Sequence, residues 1–165
     1  MTRTEKKINV FVRILFWVYL LITIRLLVLK SFPIGIAMSL IASDWDRGVI
    51  LRGLSTANFI PFKTVIMYIK HYSHLNSFEN LAGNIAVFIP FGLLAPLVKS
   101  DRKRGAAFVT ALGFLISMAV EVIQLVTGFG AFDVDDLILN TLGAVIGYIL
   151  YRMIVGIVKK ISKSE

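Results

Sequence analysis

The 165-residue chain contains no cysteine. That excludes disulfides, thiolate metal sites and a thiol nucleophile. Charge is scarce as well: 17% of residues are charged, against about 25% in an ordinary soluble domain. There are two histidines and ten acidic residues. No H-E-x-x-H, G-x-S-x-G or P-loop pattern occurs, so zincin, serine-hydrolase and nucleotide-driven pump chemistry find no support. Apolar residues take the place of the missing charge, at 57% of the chain with a mean hydropathy of +0.80. Disorder is excluded too, because its mark is low hydrophobicity. No internal repeat or low-complexity tract is present, and the length suggests a single domain.

A helix needs about 20 mainly apolar residues to cross a hydrocarbon layer of about 30 Å. Four stretches qualify, at residues 8–29, 78–98, 105–126 and 137–158. The predicted fold is therefore all-α: an integral membrane four-helix bundle, with one or two outer interfacial helices or re-entrant segments. Arg3, Lys6 and Lys7 ahead of the first span resemble a signal peptide. The apolar run behind them exceeds a typical core of about 7–15 residues, so an uncleaved anchor is expected rather than cleavage near Ala42.

Basic residues set the expected orientation. Arg3, Lys6 and Lys7 precede span one, Lys99, Arg102, Lys103 and Arg104 join spans two and three, and Arg152, Lys159, Lys160 and Lys163 close span four. These are eleven of the 18 Lys+Arg, while the link 127–136 has none. The positive-inside rule then puts both termini in the cytoplasm of a multi-pass bacterial membrane protein. Topology accounts for the net charge of +8, and no nucleic-acid partner is expected. The segment 30–77 faces outward. Within it, residues 34–42 are apolar but too short to span, and residues 62–72 mix apolar with basic positions. Each suits an interfacial helix or a re-entrant piece. Trp45, Tyr68 and Tyr72 fit the headgroup level, and His71 and His74 are expected there as interfacial residues, not ligands.

Depth sorts the polar residues. Glu79, Asn80 and Asn84 fall in the outer part of span two, Glu121 and Gln124 in the outer third of span three, and Asp135, Asp136 and Asn140 at the outer end of span four. Arg25 is outer in span one, Asp133 lies in the outer turn and Asn58 in the outer segment. Helical spacing groups Asn80, Gly83 and Asn84 on one face, Ser117, Glu121 and Gln124 on a second, and Asp136, Asn140, Gly143 and Gly147 on a third. Gly143 and Gly147 permit close helix approach. Ionisable groups inside a bilayer cost about 2.5–3.5 kcal/mol on insertion scales, so each needs a partner or a function. The expected pocket therefore comprises Arg25, Asn58, Glu79, Asn80, Asn84, Glu121, Gln124, Asp133, Asp135, Asp136 and Asn140. Depth alone pairs Arg25 with Glu121. The competing reading is that these groups only glue the helices together.

Two local features stand out. Pro90 lies inside span two and removes the bond from its own nitrogen to the Ala86 carbonyl, which predicts a kink. The turn Gly128-Phe129-Gly130-Ala131-Phe132-Asp133-Val134-Asp135-Asp136 carries three carboxylates in four residues. Asp133 fits a cap for span four, with Asp135 and Asp136 favourable at the helix N-terminus. A hard divalent cation on Asp133, Asp135 and Asp136 is the alternative; otherwise no cofactor is expected.

The blocks Asn58-Phe59-Ile60-Pro61-Phe62, Glu79-Asn80-Leu81-Ala82-Gly83-Asn84 through Ile89-Pro90-Phe91-Gly92, Glu121-Val122-Ile123-Gln124 and Asp133-Val134-Asp135-Asp136 through Asn140-Thr141-Leu142-Gly143 resemble the VanZ-like family, named for a teicoplanin-resistance determinant. The resemblance runs from about Asn58 to Tyr148. It implies a small bacterial envelope membrane protein, with lowered susceptibility to teicoplanin-type lipoglycopeptides in some members. Two functions follow as expectations. One is a non-enzymatic protein whose outward pocket takes a lipid-linked envelope precursor or a lipid-tailed lipoglycopeptide. The other is an integral-membrane enzyme on an envelope lipid or polymer, with Glu121 as acid or base.

Overall fold

A computed structural model describes residues 3–29, 47–70, 75–98 and 105–163. Six helices occupy them: α1 (Arg3–Val28), α2 (Arg47–Thr56), α3 (Lys63–Lys70), α4 (Leu75–Val98), α5 (Ala106–Thr127) and α6 (Val134–Ile161). No strand occurs among the described residues, only an isolated parallel bridge between Asn58 and Asp133. The protein is all-helical. Four segments are long and apolar enough to cross a membrane: Lys6–Val28, Glu79–Val98, Ala106–Thr127 and Val134–Ile161. The expected spans agree with these to within a few residues. The largest shift is at span four, which starts at Val134 because Asp133 caps it.

The helices bury one stripe each and leave the rest apolar and exposed, as lipid-facing helices do. In α1 the buried residues are Phe16, Leu20, Thr23 and Leu27, at alternating steps of four and three. Leu15, Leu21, Ile22 and Leu26 remain exposed. The core joins Phe16 and Leu20 to Phe88, Phe91 and Ala95 of α4, Val109 and Val120 of α5, and Ala144 and Tyr148 of α6. The most extensive packing is α4 on α6, and α1 packs on α4 and α5.

Glycine makes the α4–α6 contact possible. A Cβ at Gly92 would lie 2.0 Å from the Ala144 carbonyl oxygen, at Gly143 2.2 Å from that of Ile85, and at Gly147 2.0 Å from that of Ile89. The two backbones therefore touch, and the pair Gly143 and Gly147 forms the close contact its spacing foretells.

Pro90 and Pro96 both lie within α4. Beside Pro90 the Tyr19 hydroxyl donates to the Val87 carbonyl and accepts from the Phe91 amide. A side chain from α1 thus bridges the Val87 and Phe91 backbone groups next to the proline.

The outer segment is helical where it is described. α2 lies on α5, while α3 lies against α4 and α6. α3 matches the amphipathic stretch predicted at 62–72. Residues 34–42, Trp45, His71, Tyr72 and His74 lie outside the described residues.

Candidate functional site

Three aspartates at the start of α6 organise this end of the bundle, and each does something different. Asp133 is the N-cap: its Oδ1 accepts from the Asp135 amide at 2.8 Å and from Asn58 Nδ2 at 2.9 Å. Its Oδ2 accepts from the Thr64 hydroxyl at 2.6 Å. Asn58 completes the joint through its backbone, donating to Phe132 O at 2.8 Å and accepting from Val134 N at 2.9 Å. Its own Oδ1 accepts from Ile60 N at 3.1 Å, a side-chain turn that bends the chain toward α3. Phe59 stacks on Phe132 across the joint, with ring centroids 5.1 Å apart.

Asp135 is 0% exposed. It accepts three backbone N–H groups, from Phe62, from Thr64 at 2.7 Å and from Val65 at 3.1 Å. Thr64 and Val65 belong to the first turn of α3. Asp135 therefore stands at the positive ends of two helices, its own and α3, where a carboxylate is favoured. Phe62 has φ 66, left-handed for a non-glycine residue. Such backbone costs roughly 1–3 kcal/mol and persists where its surroundings over-determine it. The Asp135 bond to its amide is that surrounding.

Glu121 is 2% exposed, and its Oε2 accepts from the Asp133 amide at 2.8 Å. Gln124, one turn on, donates to Leu27 O at 2.9 Å, capping the last turn of α1. Asn140 Nδ2 donates to Ser117 Oγ at 2.9 Å in the buried seam of α5 and α6. Hydrogen bonds between membrane helices average about 0.6 kcal/mol, so this one fixes register more than it adds stability.

The remaining polar groups face a groove. It holds about 150 Å³ between α1 and α4, lined by Leu26, Leu27, Glu79, Asn80, Gly83 and Asn84 among others. Asn84 Nδ2 donates to Asp136 Oδ1, and Asn80 bonds the Tyr68 hydroxyl. Burial pushes the Tyr68 phenol above its usual pKa, and the negative charges of Asp136 and Asp133 push it further, while the Asn80 bond offsets part of this. Tyr68 therefore stays protonated and able to donate.

The expected pocket thus divides. Glu79, Asn80 and Asn84 line one groove, with Asp136 bonded behind Asn84. Asn58, Glu121, Asp133 and Asp135 are hydrogen-bonded into the joint, while Gln124 and Asn140 tie helices to one another. Arg25 joins neither group. It is exposed on α1, and no ion pair links it to Glu121 among the described residues. The reason is helical phase: Arg25 lies two residues from both Thr23 and Leu27, about 200° around the axis from the buried stripe. The three aspartates suggested for a divalent cation, Asp133, Asp135 and Asp136, all have hydrogen-bond donors of the protein beside them. Among the described residues no three His, Asp or Glu side chains gather as metal ligands. Asp133 and Asp135 already spend their oxygens on N–H and O–H donors.

A protein-family model described as VanZ/LLP1 matches residues 16–156. The chain belongs to the VanZ/LLP1 family. Among curated proteins, Protein VanZ of Enterococcus faecium is 34% identical over 82 residues, which is 50% of this chain and 50% of that protein. The chain thus spans about half the length of that relative. No solved structure matches. The VanZ/LLP1 match reaches into all four spans and takes in the aspartate joint and the groove.

Two partners escaped the sequence reading. Thr64 and Tyr68 are one turn apart on α3, the first bonded to Asp133 and the second to Asn80. Their four-residue spacing was the available signal. The amide targets of Asp135 had none, because backbone donors leave no mark in a sequence.

Proposed function

We propose that this family member lowers susceptibility to teicoplanin-type lipoglycopeptides by holding a lipid-linked or lipid-tailed ligand in the α1–α4 groove. The observation that carries this reading is the groove's composition. Leu26, Leu27 and Val87 offer an apolar wall, and Glu79, Asn80 and Asn84 offer amide and carboxylate groups beside it. A ligand that is half lipid and half polar matches such a surface. Asp136 and Tyr68, behind the amides, orient them. The excess of basic residues at the opposite end supports an outward groove and cytoplasmic termini. The test is teicoplanin and vancomycin susceptibility in a Gram-positive host, comparing empty vector, wild type, Asn84→Ala and Asp136→Asn at matched membrane abundance. Selective protection against teicoplanin that is lost in both variants is the expected result. Full protection from either variant would remove the groove from the account.

One observation favours a second reading, an enzyme acting on an envelope lipid. A carboxylate, Asp136, and a protonated phenol, Tyr68, stand together one hydrogen bond behind the groove. That pair replaces Glu121 as the acid and base. A changed lipid product on expression supports it. Unchanged lipids alongside retained resistance would sink it.

A further inference from the structure

At the other end of the bundle, α5 and α6 enclose a second groove of about 540 Å³. Its walls include Ala106 and Thr110 of α5 and Tyr148, Ile149, Arg152 and Met153 of α6. The surface is apolar apart from two hydroxyls and one guanidinium.

Arg152 follows Asp136 by about 24 Å along the helix axis at 1.5 Å per residue. A hydrocarbon layer is about 30 Å thick. With Asp136 near one boundary, the Arg152 backbone still lies inside the other, and its guanidinium meets the hydroxyl of Tyr148, one turn back along α6. Among the described residues its hydrogen-bond partner is the Tyr148 hydroxyl, at a long 3.4 Å, and no carboxylate pairs with it. Among the described residues, a neutral hydroxyl leaves the charge uncompensated. A charged side chain at such depth requires an anion. The anion available there in a bilayer is lipid phosphate, whose geometry a guanidinium matches with two parallel bonds. A zwitterionic lipid brings its own cation to compete for that phosphate; an anionic lipid does not.

We propose that the α5–α6 groove is a binding site for an anionic phospholipid of the leaflet at the basic end. Arg152 takes the phosphate, the Thr110 and Tyr148 hydroxyls supply further bonds, and an acyl chain runs along Ile149 and Met153. This site is independent of the α1–α4 groove.

The test is native mass spectrometry of the full chain, delipidated and then offered phosphatidylglycerol or phosphatidylcholine at equal concentration. Wild type is expected to retain one phosphatidylglycerol and several-fold less phosphatidylcholine. Arg152→Gln should cut phosphatidylglycerol occupancy about tenfold, and Arg152→Lys, which keeps the charge but not the paired bonds, should fall between that variant and wild type. Circular dichroism in neutral lipid checks the fold. If the glutamine variant fails to fold, Ala106→Phe fills the groove from the α5 side and should abolish retention. Equal retention of the two lipids, or full phosphatidylglycerol retention by Arg152→Gln or by folded Ala106→Phe, overturns the proposal. So does a dimer that replaces the lipid adduct, since the groove would then belong to a second copy.

Discussion

Replacing Asp135 by alanine should release α3 from the bundle. The carboxylate accepts N–H groups from Phe62, Thr64 and Val65, and it is fully buried. Hydrogen bonds to a charged group contribute about 1.5–3 kcal/mol each. Three bonds to one carboxylate are not additive. Phe62 is exposed, so water recovers its amide on release. Counting Thr64 and Val65 alone at the lower figure gives about 3 kcal/mol. Relaxation of the left-handed Phe62 returns about 1 kcal/mol. The net loss is therefore about 2 kcal/mol, confined to α3 and the turn before it. At 1.4 kcal/mol per tenfold, amide protection at Thr64 and Val65 should fall roughly 30-fold. Hydrogen exchange in lipid nanodiscs reads this directly, with the α5 core amide of Val120 as an internal control. Asp135→Asn keeps one acceptor and should lose about half as much in free energy. Protection at Thr64 and Val65 within threefold of wild type in the alanine variant would refute the reasoning.

Other consequences are open to measurement. Gly147→Ala drives a methyl to within 2.0 Å of the Ile89 carbonyl and should cost about 1–3 kcal/mol or more, whereas Gly156→Ala meets nothing within 4 Å and should be neutral to slightly stabilising; thermal unfolding followed by size-exclusion fluorescence compares the two. Tyr19→Phe should cost about 1–2 kcal/mol by emptying the bridge beside Pro90, and a double-mutant cycle with Pro90→Ala should show a coupling above about 0.5 kcal/mol. The ultraviolet difference titration between wild type and Tyr68→Phe should show a phenol ionising above pH 10.0, because burial and then Asp136 and Asp133 favour its neutral form. Its folded value is raised, so the associated stability is present below the ordinary tyrosine value and is lost as pH climbs through the folded one. Asp136→Asn should move that midpoint down, with burial keeping it raised; a wild-type midpoint at or below 10.0 would contradict the assignment.

The four spans were legible because hydrophobic length is a physical requirement of crossing a bilayer, whatever the tertiary contacts. Helix faces were legible for the same kind of reason. The spacing of Ser117, Glu121 and Gln124, or of Asn140, Gly143 and Gly147, determines which residues meet a neighbour. Both sets are buried in the structure, while Asp136, read on the same face as the second, is half-buried. Partnership was harder to read. Depth placed Arg25 beside Glu121, but depth is one coordinate and phase is the other. Arg25 is half a turn away from its helix's buried stripe. Glu121 accepts from the Asp133 amide, a donor that no side-chain pattern can announce. α2 (Arg47–Thr56) was missed because ten residues that start and end in polar groups carry too little periodicity to stand out.

The polar residues at the aspartate end therefore cannot be treated as one pocket. A fully buried carboxylate that accepts several N–H groups, as Asp135 does, is out of a ligand's reach unless the fold opens. Asp133 and Glu121 are in a similar position, since one caps α6 and the other holds that cap's amide. Loss of function on mutating any of them would follow from loss of structure, and would say nothing about ligand contact. Asp136 differs: its known partner, Asn84, is a side chain that itself lines the groove, so a ligand can compete for the amide without unfolding a helix start. The two classes separate in one comparison. Asp135→Asn should lower amide protection in α3 and activity together. Asp136→Asn should leave α3 protection within about threefold of wild type while removing selective protection against teicoplanin. If Asp136→Asn instead loosens α3 as much as Asp135→Asn does, all three aspartates belong to the joint, and the ligand must be sought along Glu79 and Asn80 alone.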